Sequence, residues 1–315
     1  MSERRKPALP ADGRRPKAEA SETMLVTGGA GFIGSHLAEK LLSLGYRVRV
    51  LDNLSQGRRE WVPAGAELLE GDIVDPALCR KACAGVTGVF HLAAMSRVAP
   101  SIERIDFCTE QNVIGTQNVL IAARDARVKK VVYSASSTYY GSQPPPSRED
   151  MLPQCLNPYA LSKYVGEQYC ELFTRLYGLP TVTLRYFNVY GPRQPHQGAY
   201  ALVLGIFLDQ RKRGEPLTIH GDGSQRRDFV HVRDVAEANL AAFRSAAQGV
   251  VCNVGSGVNH SVKEIADMIS PKQLQLPRRA GDAEITLADI RRAKELLGWQ
   301  PTIRFEEGLR ELVEA

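Results

Sequence analysis

Residues 24–27 (MLVT) run directly into Gly28-x-x-Gly31-x-x-Gly34, and the apolar residues of the following FIGSHLAEKLLSLG recur at helical spacing. This junction leaves few folds open. Glycines let the backbone turn tightly and come close to a pyrophosphate, whose charge a helix N-terminus then stabilises. The next strand, YRVRVLDN, brings Asp52 to its end, 24 residues after Gly28. A carboxylate there accepts hydrogen bonds from an adenosine ribose diol and repels a 2′-phosphate. Strand, glycine motif, helix, strand and acid, in that order, predict bound NAD. Arg58 and Arg59 nearby keep NADP as the alternative.

The alternation continues. Strands are expected at 66–71, 87–92 and 129–135, with helical patterns between most of them, the longest over 105–127. A Pro-rich loop follows at 141–156, then a helix at 157–177 and PTVTLRYFNVYG as a strand with its exit loop. Strand alternating with helix predicts an α/β fold, a Rossmann-type doubly wound parallel sheet covered on both faces. Such sheets bind ligands at the carboxyl ends of their strands. Asp72 and Ile73 after the third strand are therefore candidates to meet adenine, and Leu92, Ala93 and Ala94 after the fourth are candidates for close backbone approach to the cofactor. Plain packing is the other reading of each.

After residue 190 the rhythm changes to a helix near 199–213, strands at 217–220 and 228–232, and helices at 233–246, 262–269, 289–297 and 305–314. We expect a cofactor-binding domain over 23–187, with 228–256 returning to it, and a smaller mixed α/β substrate-binding domain over 188–315. A cleft would lie between them.

Residues 1–22 are Pro-, Ala- and charge-rich and read as a disordered basic tail. The tail holds six basic and four acidic side chains, a net +2, so the remaining +3 of the chain's +5 gives no case for nucleic acid. No apolar run reaches about 18 residues, so no membrane span is expected. The six cysteines and six histidines form no metal-ligand spacing, and the cysteines read as reduced thiols of a cytoplasmic protein.

Tyr159-Ala-Leu-Ser-Lys163 places a phenol and an ammonium on one helix face, with Ser136 upstream in SASSTYYG. A nearby ammonium favours the phenolate, and a serine hydroxyl completes a site able to take a proton from an alcohol. A pair with this spacing is also found on ordinary surface helices.

Together, TGGAGFIGSHL, LDNLS, GDI, HLAA, NVIGTQNVL, SASSTYYG, NPYALSK, RYFNVYGPRQ, GDGSQRRDFVHVRDVA, NVGSG and ADIRRAKELLGWQP cover nearly all of the chain after residue 23. In this order they resemble the extended short-chain dehydrogenase/reductases that act on nucleotide sugars. The resemblance implies that Tyr159 is the acid/base, Lys163 its tuner and a contact to the nicotinamide ribose, and Ser136 the catalytic serine. It implies that Phe32, Ile33, Asn53 and Tyr186 join the cofactor site and that Ser137 meets substrate. Asn188 would hold the sugar diphosphate and Arg227 a phosphate, with Arg279 and Asp282 at the nucleotide end; the arginines also read as solvated surface groups. UDP is the nucleotide the resemblance favours.

Dehydratases and uronate decarboxylases of this family keep a carboxylate between the catalytic serine and the Tyr-Gly. Here Ser137 and Thr138 stand there, and neither hydroxyl replaces a carboxylate base. The simpler outcome is 4-epimerisation through a transient 4-keto sugar. A dehydratase drawing its acid from elsewhere, or a non-catalytic NAD-binding regulator, is the alternative. Thr286 falls where relatives bound the sugar C2 region, and its small size suits N-acetylhexosamines besides glucose and galactose. Arg97, where relatives keep a small or neutral residue, either meets a uronate carboxylate or points outward. Tyr139 stands where an aliphatic residue is usual. Family members dimerise through two helices each, here 105–127 and 157–177, with Val113, Val119, Leu120, Leu172, Phe173 and Leu176 as interface or core.

Overall fold

The glycine junction lies inside a seven-stranded parallel sheet. The computed structural model describes residues 22–196, 203–277 and 284–314. Its strands are β1 (Thr23–Thr27), β2 (Arg47–Asp52), β3 (Glu67–Glu70), β4 (Gly88–His91), β5 (Lys130–Ser136), β6 (Thr181–Tyr186), β7 (Asn188–Tyr190), β8 (Leu217–His220), β9 (Arg226–His231), β10 (Val250–Val254), β11 (Asn259–Ser261) and β12 (Gln273–Leu276). Its helices are α1 (Phe32–Ser43), α2 (Pro76–Cys83), α3 (Val98–Glu103), α4 (Ile105–Thr109), α5 (Gly115–Asp125), α6 (Pro158–Tyr177), α7 (Val203–Lys212), α8 (Val232–Arg244), α9 (Val262–Ile269), α10 (Arg291–Leu297) and α11 (Phe305–Glu314).

The large sheet runs β10-β6-β5-β4-β1-β2-β3. Successive residues of a strand face opposite sides, which explains the unbroken apolar run in β1. Met24 and Val26 pack with Leu37 and Leu41 of α1 and Val235 of α8. Leu25 packs on the other side with Cys79 of α2, Leu120 of α5 and Phe173 of α6. Burying each such side chain stabilises by about 1.5–3 kcal/mol. The chain winds outward from β1 to β3 and then returns to β4 on the other side of β1, so the strand order reverses between β1 and β4.

Helix α6 has clear limits. Asn157 caps it by accepting the Ala160 N–H at 2.9 Å, Pro158 fills its first position, and it ends at Gly178 with φ +67°. The helix expected over 105–127 is continuous from α4 into α5 but passes through a π-helical turn at Glu110–Ile114. Asn112 in that turn donates to the Met95 carbonyl at 2.9 Å and accepts the Met95 N–H at 2.7 Å.

PTVTLRYFNVYG, expected as a strand with its exit loop, holds β6 as far as Tyr186 and, in place of a plain loop, a second strand, β7, from Asn188. Residues of β6 belong to the large sheet, whereas β7 pairs with β9 in a three-stranded sheet, β11-β9-β7. Within 228–256, β10 joins the large sheet beside β6, but β9 does not. A two-stranded sheet, β12-β8, with α7, α9 and α11, completes a second core around Phe207, Phe229, Ile265 and Phe305. Of the tail expected to be disordered, residues 1–21 lie outside the described residues, and Glu22 pairs with Lys129 at 2.6 Å. No described helix is long and apolar enough to cross a membrane.

Candidate active site

Gly28 leaves β1 with φ +73°, and a Cβ there would stand 2.7 Å from the Ala93 backbone nitrogen. The turns after β1 and β4 therefore abut where the strand order reverses, the place where such sheets open a ligand crevice. Gly34 is packed harder still: a Cβ would meet the Gly28 carbonyl at 2.1 Å. Gly31 caps α1 without a side-chain hydrogen bond, and the first turn of α1 holds no acidic residue. Its N–H groups are thus arranged for an anion. Phe32 and Ile33 pack inward against the core, fixing the helix beside this turn.

Asp52 ends β2 nearly buried. Its carboxylate accepts the N–H groups of Ala30 and Leu54, each at 2.9 Å. Burial raises its pKa, and those two bonds oppose the rise. Asn53 donates to Asp72 at 2.8 Å, and Gln111 donates to both Asp72 oxygens at 3.1 and 3.0 Å. Ile73, expected near adenine, instead turns its side chain into the core, 3% exposed. Leu92, Ala93 and Ala94 are half-buried beyond β4. Arg58 lies over the Trp61 ring, and Arg59 pairs with Glu70, the register neighbour of Asp52 in β3. The uncapped helix start, the glycine cradle and the acid fit NAD.

Tyr159, Ser136 and Lys163 are brought together. Ser136 accepts hydrogen bonds from Thr138 Oγ1 at 2.9 Å and from the Thr138 N–H at 3.3 Å. Its own proton is thereby available to the neighbouring Tyr159 phenol, whose pKa Ser136 lowers. Burial raises the Tyr159 pKa; the Ser136 bond and the Arg97 charge oppose the rise. Lys163, expected to lower it, instead donates to the Ser134 carbonyl at 2.8 Å, and its own pKa is pushed down to about 8 by burial. The spacing put the ammonium on the right face, but the nearest strong acceptor is a backbone carbonyl. Tyr186 is bound through its hydroxyl to Ser134 and Asn239 behind this cluster.

Asn188 donates to the Asp228 carbonyl at 2.9 Å and to Thr286 Oγ1 at 3.3 Å. Thr286 Oγ1 also accepts the Asp228 N–H at 3.1 Å. Both amide protons of Asn188 are engaged within the protein, so the threonine does more than leave space. Arg227 reaches the carbonyls of Arg226 and Glu284. Arg279 and Asp282 lie outside the described residues. Sequence reasoning did not single out Asp228, whose carboxylate accepts from the N–H groups of Ser256, Gly257 and Ala288 and from the Ser256 hydroxyl. Its RRDF setting was visible, but partners up to 60 residues away were not.

A doubly wound sheet with this glycine turn, acid and Ser–Tyr–Lys cluster defines a nicotinamide-dinucleotide enzyme. Residues 24–255 match the NAD dependent epimerase/dehydratase family, and the chain belongs to that family. It is 40% identical over 299 residues to a putative UDP-glucose 4-epimerase of Methanocaldococcus jannaschii, covering 92% of this chain and 97% of the relative. The UDP-glucose 4-epimerase of Thermotoga maritima, solved with UDP-glucose, superposes with a TM-score of 0.89 at 39% identity, over 93% of this chain and 97% of that one. The Thermus thermophilus UDP-glucose 4-epimerase, solved with NAD, gives 0.85 at 37% identity over 93% and 98%. Further relatives are named as UDP-glucuronate and UDP-N-acetylglucosamine 4-epimerases and a uronate decarboxylase.

Proposed function

We propose that this protein interconverts UDP-hexoses by inversion at C4, with Tyr159 as the acid/base. One observation carries the reading. The half-buried Tyr159 has Ser136 beside its phenol, while the adjoining turn, Ser137–Tyr140, presents hydroxyls and no carboxylate. Proton transfer at one oxygen is what epimerisation requires, whereas elimination of water needs a further acid and base. Tyr159 takes the proton of the C4 hydroxyl, Ser136 steadies the phenolate, and Tyr159 returns the proton after the sugar has presented its other face. NAD, when bound, exchanges hydride with C4 and ends as it began.

Arg227 would grip phosphate at the far end of the cleft, and Asn188 and Thr286 would line the sugar. The activities of the relatives support a UDP-sugar, and the small Thr286 supports acceptance of N-acetylhexosamines as well as glucose and galactose.

The test is NMR product analysis with UDP-glucose and UDP-N-acetylglucosamine, without added NAD. The 4-epimer should accumulate to equilibrium. Tyr159→Phe should lower the rate by about 10²–10⁴-fold while UDP-sugar binding stays. A 4-keto-6-deoxy sugar as the product would overturn the reading.

A further inference from the structure

Lys163 is 5% exposed, and among the described residues its ammonium has one hydrogen-bond partner, the Ser134 carbonyl at 2.8 Å. A single neutral acceptor does little to offset the burial of a charge. The other group at hand is an aromatic face. The ammonium lies 5.1 Å from the ring centroid of Tyr133, within cation–π range, where loss of water makes the attraction strongest. Tyr133 in β5 is fully buried, and its hydroxyl donates to the Lys163 carbonyl at 3.3 Å. One phenol thus meets the lysine at its backbone and at its head group. The chain makes room for it. Gly166 stands inside α6, where glycine weakens a helix, and a Cβ there would lie 2.2 Å from the Tyr133 hydroxyl. The ring also meets His91, centroids 5.6 Å apart, and that imidazole is fixed between Thr27 and Thr116. Thr27 Oγ1 accepts the Ala93 N–H at 3.2 Å, so the stack is anchored to the turn that abuts Gly28.

We propose that Tyr133 is a positioning residue, its ring aiming the Lys163 ammonium and holding its charge within the Ser–Tyr–Lys site. A ring that only filled the core would not call for a glycine in the catalytic helix or for a hydroxyl turned to Lys163. Burial already pulls the amine down to about 8, so losing the ring's attraction would bring it close to neutrality at working pH. The other ionisable groups around it are poor substitutes. Cys108 on α4 and Cys170 on α6 are buried thiols whose charge would reach the amine. Tyr159 and Glu167 stand four residues to either side on α6, and Glu167 is bound to Arg185. His91 on β4 is kept neutral by burial. The effect on rate rests on the 4-epimerase reading; the effect on the lysine does not.

In the NAD-loaded enzyme, Tyr133 is replaced by phenylalanine and then by its difluoro and pentafluoro forms. These keep the shape of the ring and weaken its negative face stepwise, so folding is preserved while the attraction is removed. The Lys163 titration is read by NMR of protein labelled at lysine Cε, its signal identified by its loss in Lys163→Met. The kcat and KM for UDP-glucose are followed through the alkaline range. Tyr133→Phe should keep most of the Lys163 pKa. That pKa should then fall with each fluorination, by about one pH unit in all. The alkaline limb of kcat should move down with it while KM stays. A Lys163 titration indifferent to fluorination overturns the proposal, and Tyr133 is then core packing alone. A titration that moves while the kcat limb stays overturns it too, because the held charge would serve no step. If no UDP-sugar is epimerised, the 4-epimerase reading fails, and the Lys163 titration still decides whether Tyr133 holds the charge.

Discussion

His91 closes β4 without any exposure, sharing hydrogen bonds with Thr27 Oγ1 at 2.7 Å and Thr116 Oγ1 at 3.0 Å. Burial, with the Lys163 charge second, pushes its pKa down to about 3. The unfolded imidazole takes its proton near pH 6.5, so between about 3 and 6.5 the unfolded chain binds more protons. This residue therefore makes the fold lose stability as pH falls through that window, by up to about 1.4 kcal/mol per pH unit. In urea titrations from pH 4.5 to 7, His91→Gln should show a shallower decline; parallel curves would mean the imidazole is charged in the fold. Tyr139 also has a plain account. Its ring lies 3.6 Å from the Arg185 guanidinium, which is paired with Glu167 at 2.9 and 2.6 Å. An aliphatic residue could not supply that cation–π contact. The turn bearing Ser137 and Thr138 thus rests on a buried ion pair.

Among the elements, β9 does the most to organise the side proposed to meet substrate. Through Asp228 it binds the loop at Ser256–Gly257 and the segment at Thr286–Ala288, which in turn hold Asn188. Asp228→Asn leaves one acceptor oxygen and an amide facing donors. It should destabilise the protein by about 2–3 kcal/mol and raise KM for the UDP-sugar more than it lowers kcat. A loss confined to kcat would remove this element from the substrate wall. The parts that could be read from sequence were those in which one local signal fixes the outcome. In β1-α1-β2 the apolar run, the glycines and the terminal acid each admit one arrangement. The second strand, β7, could not be read, because its partner β9 lies about 40 residues further along the chain. Nor could the π turn at Glu110–Ile114, which no proline marks, or the strained backbone of Arg97 at φ +114°. The Asn188–Thr286 contact spans 98 residues, beyond the reach of any periodicity.

For the molecule as a whole, the expected contact between copies needs a changed list of residues. Val119, Leu120 and Phe173 are buried in the chain's own core. Exposed instead are Ile102, Ile105, Ile114 and Leu161, on α3, α4, the π turn and α6, along with Leu176 and Tyr177 at the end of α6. Helices α3 and α4 both pack against α6, so a second copy could cover this face. Ile105→Glu combined with Leu161→Glu should convert a dimer to a monomer in sedimentation while the far-UV CD spectrum is kept. An unchanged sedimentation coefficient would place any interface elsewhere.

The excursion between β6 and β10 has a consequence for synthesis. Thr181–Tyr186 is buried along its whole length, and its outer neighbour, Val250–Val254, comes 64 residues later. A chain emerging from a ribosome therefore carries an open sheet edge until residue 254 has cleared the exit tunnel. An unpaired, apolar edge recruits other strands. A nascent chain stalled anywhere between the two strands should be the form that calls most on chaperones, although every residue of the glycine turn and of the Ser–Tyr–Lys cluster has by then been made.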